Sequence, residues 1–250
     1  MKNDAHLALL ANPTGHNMGV MAERLNHIIN KLNVEEINTI LDIGSMDGWE
    51  SINLARIFNH AAVNCFEPVP SNFDICTNNV EAADPSVRDR ISIHRTALND
   101  VSGPMTFYAI DEEAAIKRGK VNRGMGSKYE LMDPDMWPWE HNKQKPITVH
   151  GSTLTDWAHG AEISRVDGIW MDVQGAELDV LKGISPELFA NIQFIITEAG
   201  IKPYYHGQSL KSQMDELLAE HGFVEWMPAR QIAHEYEANV IYLNRRICNF

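Results

Sequence analysis

The sequence has no long apolar run, no paired cysteines and little positive charge, and each shortage excludes a class of protein. No stretch approaches the roughly 20 apolar residues that a helix needs to cross a bilayer. The brief apolar run at residues 7–11 is too short for the core of a secretory signal. Only three cysteines occur, Cys65, Cys76 and Cys248. They are odd in number and show no paired spacing, which reads as a reducing, cytoplasmic setting without a disulfide framework. Lys and Arg total 21 against 34 Asp and Glu, a formal net charge of −13. Proteins that grip nucleic acid concentrate cations against phosphate, so nucleic acid is not an expected partner. The one short basic run, Lys117, Arg118, Lys120 and Arg123, reads as a solvated face.

What the chain does have is an alternation of two periods. Met21, Leu25, Ile28, Ile29 and Leu32 make one apolar stripe at helical spacing over 18–32, and a continuous apolar strand follows at 39–43. A glycine-bearing turn, Gly44-Ser45-Met46-Asp47-Gly48, leads into a helix with Ile52, Ala55 and Phe58 on one side. Strands are expected at 62–67, 91–94 and 105–108, with a helix at 72–82 between the first two. From 111 to 146 the pattern dissolves into a polar stretch carrying Trp137, Trp139, Gly124 and Gly126. Long irregular segments in compact domains are usually functional. Regularity returns with a strand at 168–172, a helix at 176–182 closed by Gly183, and a strand at 194–198. Ser209 then reads as the cap of a helix carrying Leu210, Met214, Leu217 and Leu218. The last two strands, 223–227 and 239–243, stand too close for a helical crossover and read as an antiparallel hairpin. Strands alternating with helices imply a mostly parallel sheet covered on both faces.

The first chemical signal is Asp42-Ile43-Gly44-Ser45-Met46-Asp47-Gly48, between a strand and a helix. Glycine there allows a sharp turn and close approach of a ligand to the main chain. Glu67 ends the next strand, 19 residues after Gly48, where a carboxylate can accept both hydroxyls of a ribose. Two Rossmann-type readings compete. A dinucleotide sets its pyrophosphate on such a turn, where Asp42 and Asp47 would repel it. A sulfonium ligand with a protonated amino group is favoured by the same carboxylates, which points to S-adenosylmethionine.

The blocks ILDIGSMDGW, NCFEPVPSNF, TALNDVSGPMTFY, GSTLTDW, VDGIWMDVQGAELDVLKGI and FIITEA, in that order, resemble those of the FkbM-type methyltransferases. The resemblance runs over residues 39–226, and Asp172-Val173-Gln174-Gly175-Ala176-Glu177 is its most specific part. It implies an α/β class I methyltransferase fold of Rossmann-like type. The sheet would be mostly parallel and seven-stranded, with a C-terminal antiparallel hairpin and helices on both faces. Residues 1–250 would form a single methyltransferase domain, with an N-terminal helical extension at 1–36 and an acceptor-side lid inserted at 111–146. The implied cofactor is S-adenosylmethionine, leaving S-adenosylhomocysteine as product. The implied reaction is O-methylation of a sugar, glycan or small natural product, so the partner is a small-molecule or carbohydrate acceptor. Carried over by position, Asp42, Gly44, Ser45, Asp47 and Gly48 would surround the methionine and ribose, with Glu67 and Pro68 at the ribose diol. Thr96, Ala97 and Leu98 would lie near adenine. Many members carry a second glycine in place of Met46 and a lysine in place of Trp170.

An alcohol must lose its proton as it is methylated, which calls for a base or a metal near the carboxyl ends of the strands. Asp172 and Glu198 stand at two such ends, and His206 follows the second. Asp172 would line the cofactor as well. The blander readings are that Asp172 caps the following helix, that Glu177 sits on an exposed face and that His206 is a surface loop residue. Two carboxylates without a third ligand make no metal site, although a divalent metal bridging them is conceivable. Tyr129, Trp137 and Trp139 would either stack on a flat acceptor or pack the insertion onto the sheet, with Gly124 to Ser127 as a hinge. N- or carboxyl-methylation, and a non-catalytic S-adenosylmethionine-binding module, remain alternatives on the same fold. Oligomeric state is left open, a dimer included.

Overall fold

In the computed structural model, residues 25, 31–117, 122–133, 143–226, 230–231 and 236–248 are described. The apolar run Thr39–Ile43 forms β1, which pairs in parallel with β2 (Ala62–Phe66) on one side and β7 (Gly168–Met171) on the other. Outward from β2 lies β3 (Ile91–His94), and outward from β7 lies β8 (Phe194–Gly200), both parallel. The last strand, β11 (Glu237–Asn244), runs antiparallel against β8. Its free edge takes two short antiparallel segments, β9 (Phe223–Glu225) and β10 (Arg230–Gln231). These share one edge, so the eight segments occupy seven strand positions in the order β3-β2-β1-β7-β8-β11-β9/β10. That is the mostly parallel sheet with an antiparallel C-terminal end that the sequence implies.

The central strands carry apolar side chains on both faces because both are covered. Leu41, Ile43, Ile169, Met171 and Ile195 pack on one side with α5 (Leu154–Gly160), α6 (Glu177–Lys182), α7 (Pro186–Phe189) and α8 (Lys211–Glu220). Ile40, Val63, Cys65, Trp170 and Ile196 pack on the other with α1 (Trp49–Ile57) and α2 (Pro70–Glu81). Cys65 is wholly buried there. The helix expected at 18–32 lies largely outside the described residues, but Leu25 is buried in this same cluster. Among the described residues no helix is long and apolar enough to cross a membrane.

Three local features differ from the sequence expectation. A second sheet joins β4 (Ala97–Leu98), β6 (Gln144–Ser152) and β5 (Gly103–Ile110). The expected strand at 105–108 belongs to it, and its partner β6 emerges from the end of the segment expected to be irregular. That segment also holds α4 (Glu112–Lys117) and a 3-10 turn at Arg123–Met125. The short helices α3 (Pro85–Arg88), α5 and α7 start at side-chain caps: Asp84 accepts from Ser86 N–H, Thr153 from Asp156 N–H and Ser185 from Leu188 N–H. Ser209 does not cap α8. The helix begins after Leu210, whose N–H donates to Gln213 Oε1 at 2.9 Å.

One glycine governs how closely the strand ends meet at the carboxyl edge. Gly44 has φ +88°, and a Cβ there would lie 1.9 Å from the backbone oxygen of Asp172. Gly44→Ala is therefore expected to cost about 3 kcal/mol or more, combining a left-handed backbone with a clash against main chain. A denaturant midpoint equal to that of the wild type would contradict this close approach.

Candidate active site

A cavity of about 350 Å³ opens at the carboxyl ends of β1, β2, β7 and β8, where open α/β sheets hold their ligands. Its size falls within the range of pockets that enclose a cofactor-sized ligand. Gly44, Glu67, Pro68, Thr96, Ala97, Leu98, Asp172 and Glu198 all face it. The turn after β1 is held against β2, with the Gly44 and Ser45 N–H groups both donating to Phe66 O at 3.0 and 3.1 Å. Glu67 is buried, and its two carboxyl oxygens accept from Met46 N–H (3.0 Å) and Val69 N–H (2.8 Å). Burial pushes its pKa up to about 8, against the lowering effect of those two N–H bonds. Met46 keeps φ +45°, so the turn retains a left-handed residue without a glycine.

Four residues expected at the cofactor do not line the cavity. Asp42 lies beneath the turn, 1% exposed, and accepts from Ser51 Oγ at 2.5 Å. Burial, then the charge of Glu50, raises its pKa well above the ordinary carboxylate value. Ser45 is likewise buried. Asp47 accepts the Trp49 N–H at 3.2 Å at the start of α1, and Gly48 supplies the left-handed residue before that helix. Glu50, Glu67, Asp172, Glu198 and Glu237 face the cavity. Of these, Glu50 and Glu237 lie outside the motifs that the sequence displays. Arg123 and Lys128, the two cations in the wall, are each engaged by acids. Arg123 pairs with both Glu112 oxygens, and Lys128 reaches Asp100 and Asp179 at 3.2 and 3.0 Å.

At the far end of the cavity Gln174 Nε2 donates to Asp172 Oδ1 at 2.8 Å and lies 3.4 Å from Glu198 Oε2. Glu237, on β11, stands close to Glu198, and burial followed by the Asp172 charge lifts its pKa to about 7. Asp172 does not serve as cap for α6. Nor does any side chain cap that helix; Glu177, its first residue, is not on an exposed face, being 2% exposed and accepting from Val173 and Gly175 N–H of the preceding turn at 3.2 and 3.1 Å. His206 does not border the cavity. The turn buries Tyr204 and Tyr205, leaves His206 exposed, and uses its N–H on Glu130 O. Tyr129 does not face the cavity either, since its hydroxyl donates to Asp179 Oδ2 at 2.6 Å. Gly124 and Gly126 have ordinary negative-φ backbones. Trp137 and Trp139 lie outside the described residues. No group of three or more His, Cys, Asp or Glu among the described residues is arranged to hold a metal.

Burial raises the Glu177 pKa to about 7, with the Asp172 charge adding to it. A carboxyl raised above its unfolded value stabilises the fold fully below about pH 4.5, and that contribution is lost as pH rises through 7. Both N–H donors use Oε1, so glutamine can keep them. Glu177→Gln is expected to raise stability by about 2–3 kcal/mol at pH 8 and by little at pH 5, with Glu67 and Glu237 leaving a residual slope. Thermal unfolding at the two pH values checks this, and an equal change at both contradicts it.

The residues present fit S-adenosylmethionine. The buried carboxyl of Glu67, the side-chain-free Gly44, the apolar Ala97 and Leu98 and the acids Asp172 and Glu198 face one cavity, and acids suit a cationic centre. The model of the Methyltransferase FkbM domain matches residues 42–225. The 2-O-methyltransferase NoeI of Sinorhizobium fredii is 29% identical over 189 residues, covering 76% of this chain and 74% of that protein. Methyltransferase sdnD of Sordaria araneosa is 23% identical over 228 residues, 81% of this chain and 82% of that one. Aeropyrum pernix fibrillarin, solved with bound S-adenosyl-L-methionine, aligns with TM-score 0.49 and 12% identity over 90% of this chain and 74% of that one. With the family match spanning most of its length, the chain belongs to the FkbM methyltransferase domain family.

Proposed function

We propose that this protein transfers a methyl group from S-adenosylmethionine to a hydroxyl oxygen of a sugar, glycan or small natural product. The observation that carries the reading is one cavity with a ribose-type carboxylate, Glu67, at one end and the Asp172–Gln174–Glu198 group at the other. The 2-O-methyltransferase relative supports oxygen as the acceptor atom. When bound, the cofactor supplies an electrophilic methyl on a sulfonium, open to in-line displacement by an oxygen.

Glu67 would accept from the ribose hydroxyls, while Thr96, Ala97 and Leu98 flank adenine. Asp172 and Glu198 would orient the acceptor hydroxyl and receive its proton. Met105, Phe107 and Met125 face the same cavity and would keep water from the reacting oxygen. Residues 122–133 would act as the acceptor-side wall, fixed by paired backbone bonds between Ser127 and Tyr108 and by Met132 N–H to Tyr204 O. The decisive test is transfer of labelled methyl from S-adenosylmethionine to a panel of neutral sugars, oligosaccharides and hydroxylated metabolites. A labelled methyl ether is the expected product. Label found only on amines or carboxylates, or cofactor binding without transfer to any acceptor, would overturn the oxygen-directed reading.

A further inference from the structure

We infer that Gln174 is a positioning residue whose side-chain amide ties Asp172 and Glu198 into one pair, with Tyr205 setting which way the amide points. Gln174 Oε1 accepts from the Tyr205 hydroxyl at 2.8 Å, and Nε2 lies 2.8 and 3.4 Å from the Asp172 and Glu198 carboxylates. An amide has two N–H donors, and two acceptors stand on that side. Turning it over would set its oxygen against two carboxylate oxygens and its NH₂ against the tyrosine proton. Tyr205 is 2% exposed, and burial with the surrounding carboxylates raises its pKa, so it stays a donor.

The backbone is strained to hold this arrangement. Gln174 has φ +54° and Gly175 +95°, a region that costs a non-glycine residue roughly 1 kcal/mol. Ser127 Oγ–H donates to Gln174 O at 2.7 Å and pins the strained residue to the wall segment. A glycine would relax the backbone at once, yet it carries no amide. Strain of this kind persists where the surroundings over-determine it, and here the side chains of Ser127, Tyr205, Asp172 and Glu198 do so.

The pair needs the amide because its neighbourhood is acidic. Glu177 from α6, Glu237 from β11 and Tyr205 from the loop after β8 interact with Asp172, and Tyr205 and Glu237 also face Glu198. Close carboxylates disfavour each other's ionised form, and N–H donors restore it. Gln174 thus keeps both members able to accept a proton.

The test is titration of the full chain with ¹³C-labelled side-chain carboxyls, followed by NMR. Signals are assigned with Asp172→Asn and Glu198→Gln. Gln174→Met and Gln174→Gly are expected to move both midpoints up by about half a pH unit or more, and Tyr205→Phe to move them less in the same direction. Gln174→Gly relaxes the backbone but leaves the buried Tyr205 hydroxyl unpaired, so midpoints are read only where circular dichroism shows each variant fully folded, which separates lost positioning from lost fold. Unchanged midpoints in both Gln174 variants would overturn the inference. That the pair serves methyl transfer rests on the function proposed above. Shifted midpoints in a chain that binds no S-adenosylmethionine would sink that function while upholding Gln174 as the positioning residue.

Discussion

Glu67→Ala is expected to weaken S-adenosylhomocysteine binding by about 5–150-fold, corresponding to 1–3 kcal/mol for hydrogen bonds to a charged group. The position of the carboxyl is what makes the effect large. It is buried yet faces the cavity, and each oxygen has one backbone N–H already, from Met46 and Val69. A carboxylate oxygen can accept more than one hydrogen, so both can also receive ribose hydroxyls. A pH signature separates this from a merely structural loss. In the free protein burial holds the group near 8, so at pH 6 it carries its proton. Diol donors favour the ionised form, so binding at pH 6 must expel that proton, and affinity should rise between pH 6 and 7.5. The limit is about tenfold per unit. Glu67→Ala should lose most of that slope. Calorimetry in buffers of different ionisation enthalpy reads both quantities. Wild-type affinity with an unchanged slope in the variant would remove Glu67 from the cofactor site.

The parallel sheet was legible because its strands bury both faces and so read as near-continuous apolar runs, as at Ile169 to Met171 and, interrupted by Asp42 alone, Ile40 to Ile43. The second sheet was not. Its strand β5 alternates between half-exposed and exposed positions over residues 103–107 and is buried only at its end, and β6 opens on Gln144, Lys145 and Pro146. Neither gives the continuous signal of a buried strand, and their pairing spans a polar segment. The caps Asp84, Thr153 and Ser185, two of them directly followed by proline, were the readable signs of the short helices.

At the site, three acids at or near the ends of apolar strands face the cavity: Glu67, Asp172 and Glu198. Adjacency misled where the chain turns. Tyr205 and His206 are neighbours, but the turn sends the tyrosine inward to Gln174 and leaves the histidine exposed. Glu237 and Lys128 arrive from elements remote in sequence, and no local pattern marks them. Gln174 was visible as part of a motif. Its bridging role was not, because it depends on β7, β8 and a later loop meeting at one point.

The second large effect is expected at Asp172. Asparagine retains the shape and can still accept from Gln174, but it cannot take up a proton. If Asp172 receives the hydroxyl proton, Asp172→Asn should lower kcat by about 10²–10⁴, the usual contribution of a positioned base. Glu198→Gln makes the same change on the other carboxylate of the pair. Because Gln174 joins the two, their losses should be strongly non-additive, with the double variant little worse than the poorer single one. The single variant with the larger loss identifies the proton acceptor, and its pH–rate profile should lose the acidic limb that the other variant keeps. Wild-type kcat in both single variants would leave in-line alignment as the chain's main contribution. Proton loss to water would then suffice, and the pair would be needed only to orient the acceptor, raising KM and not lowering kcat.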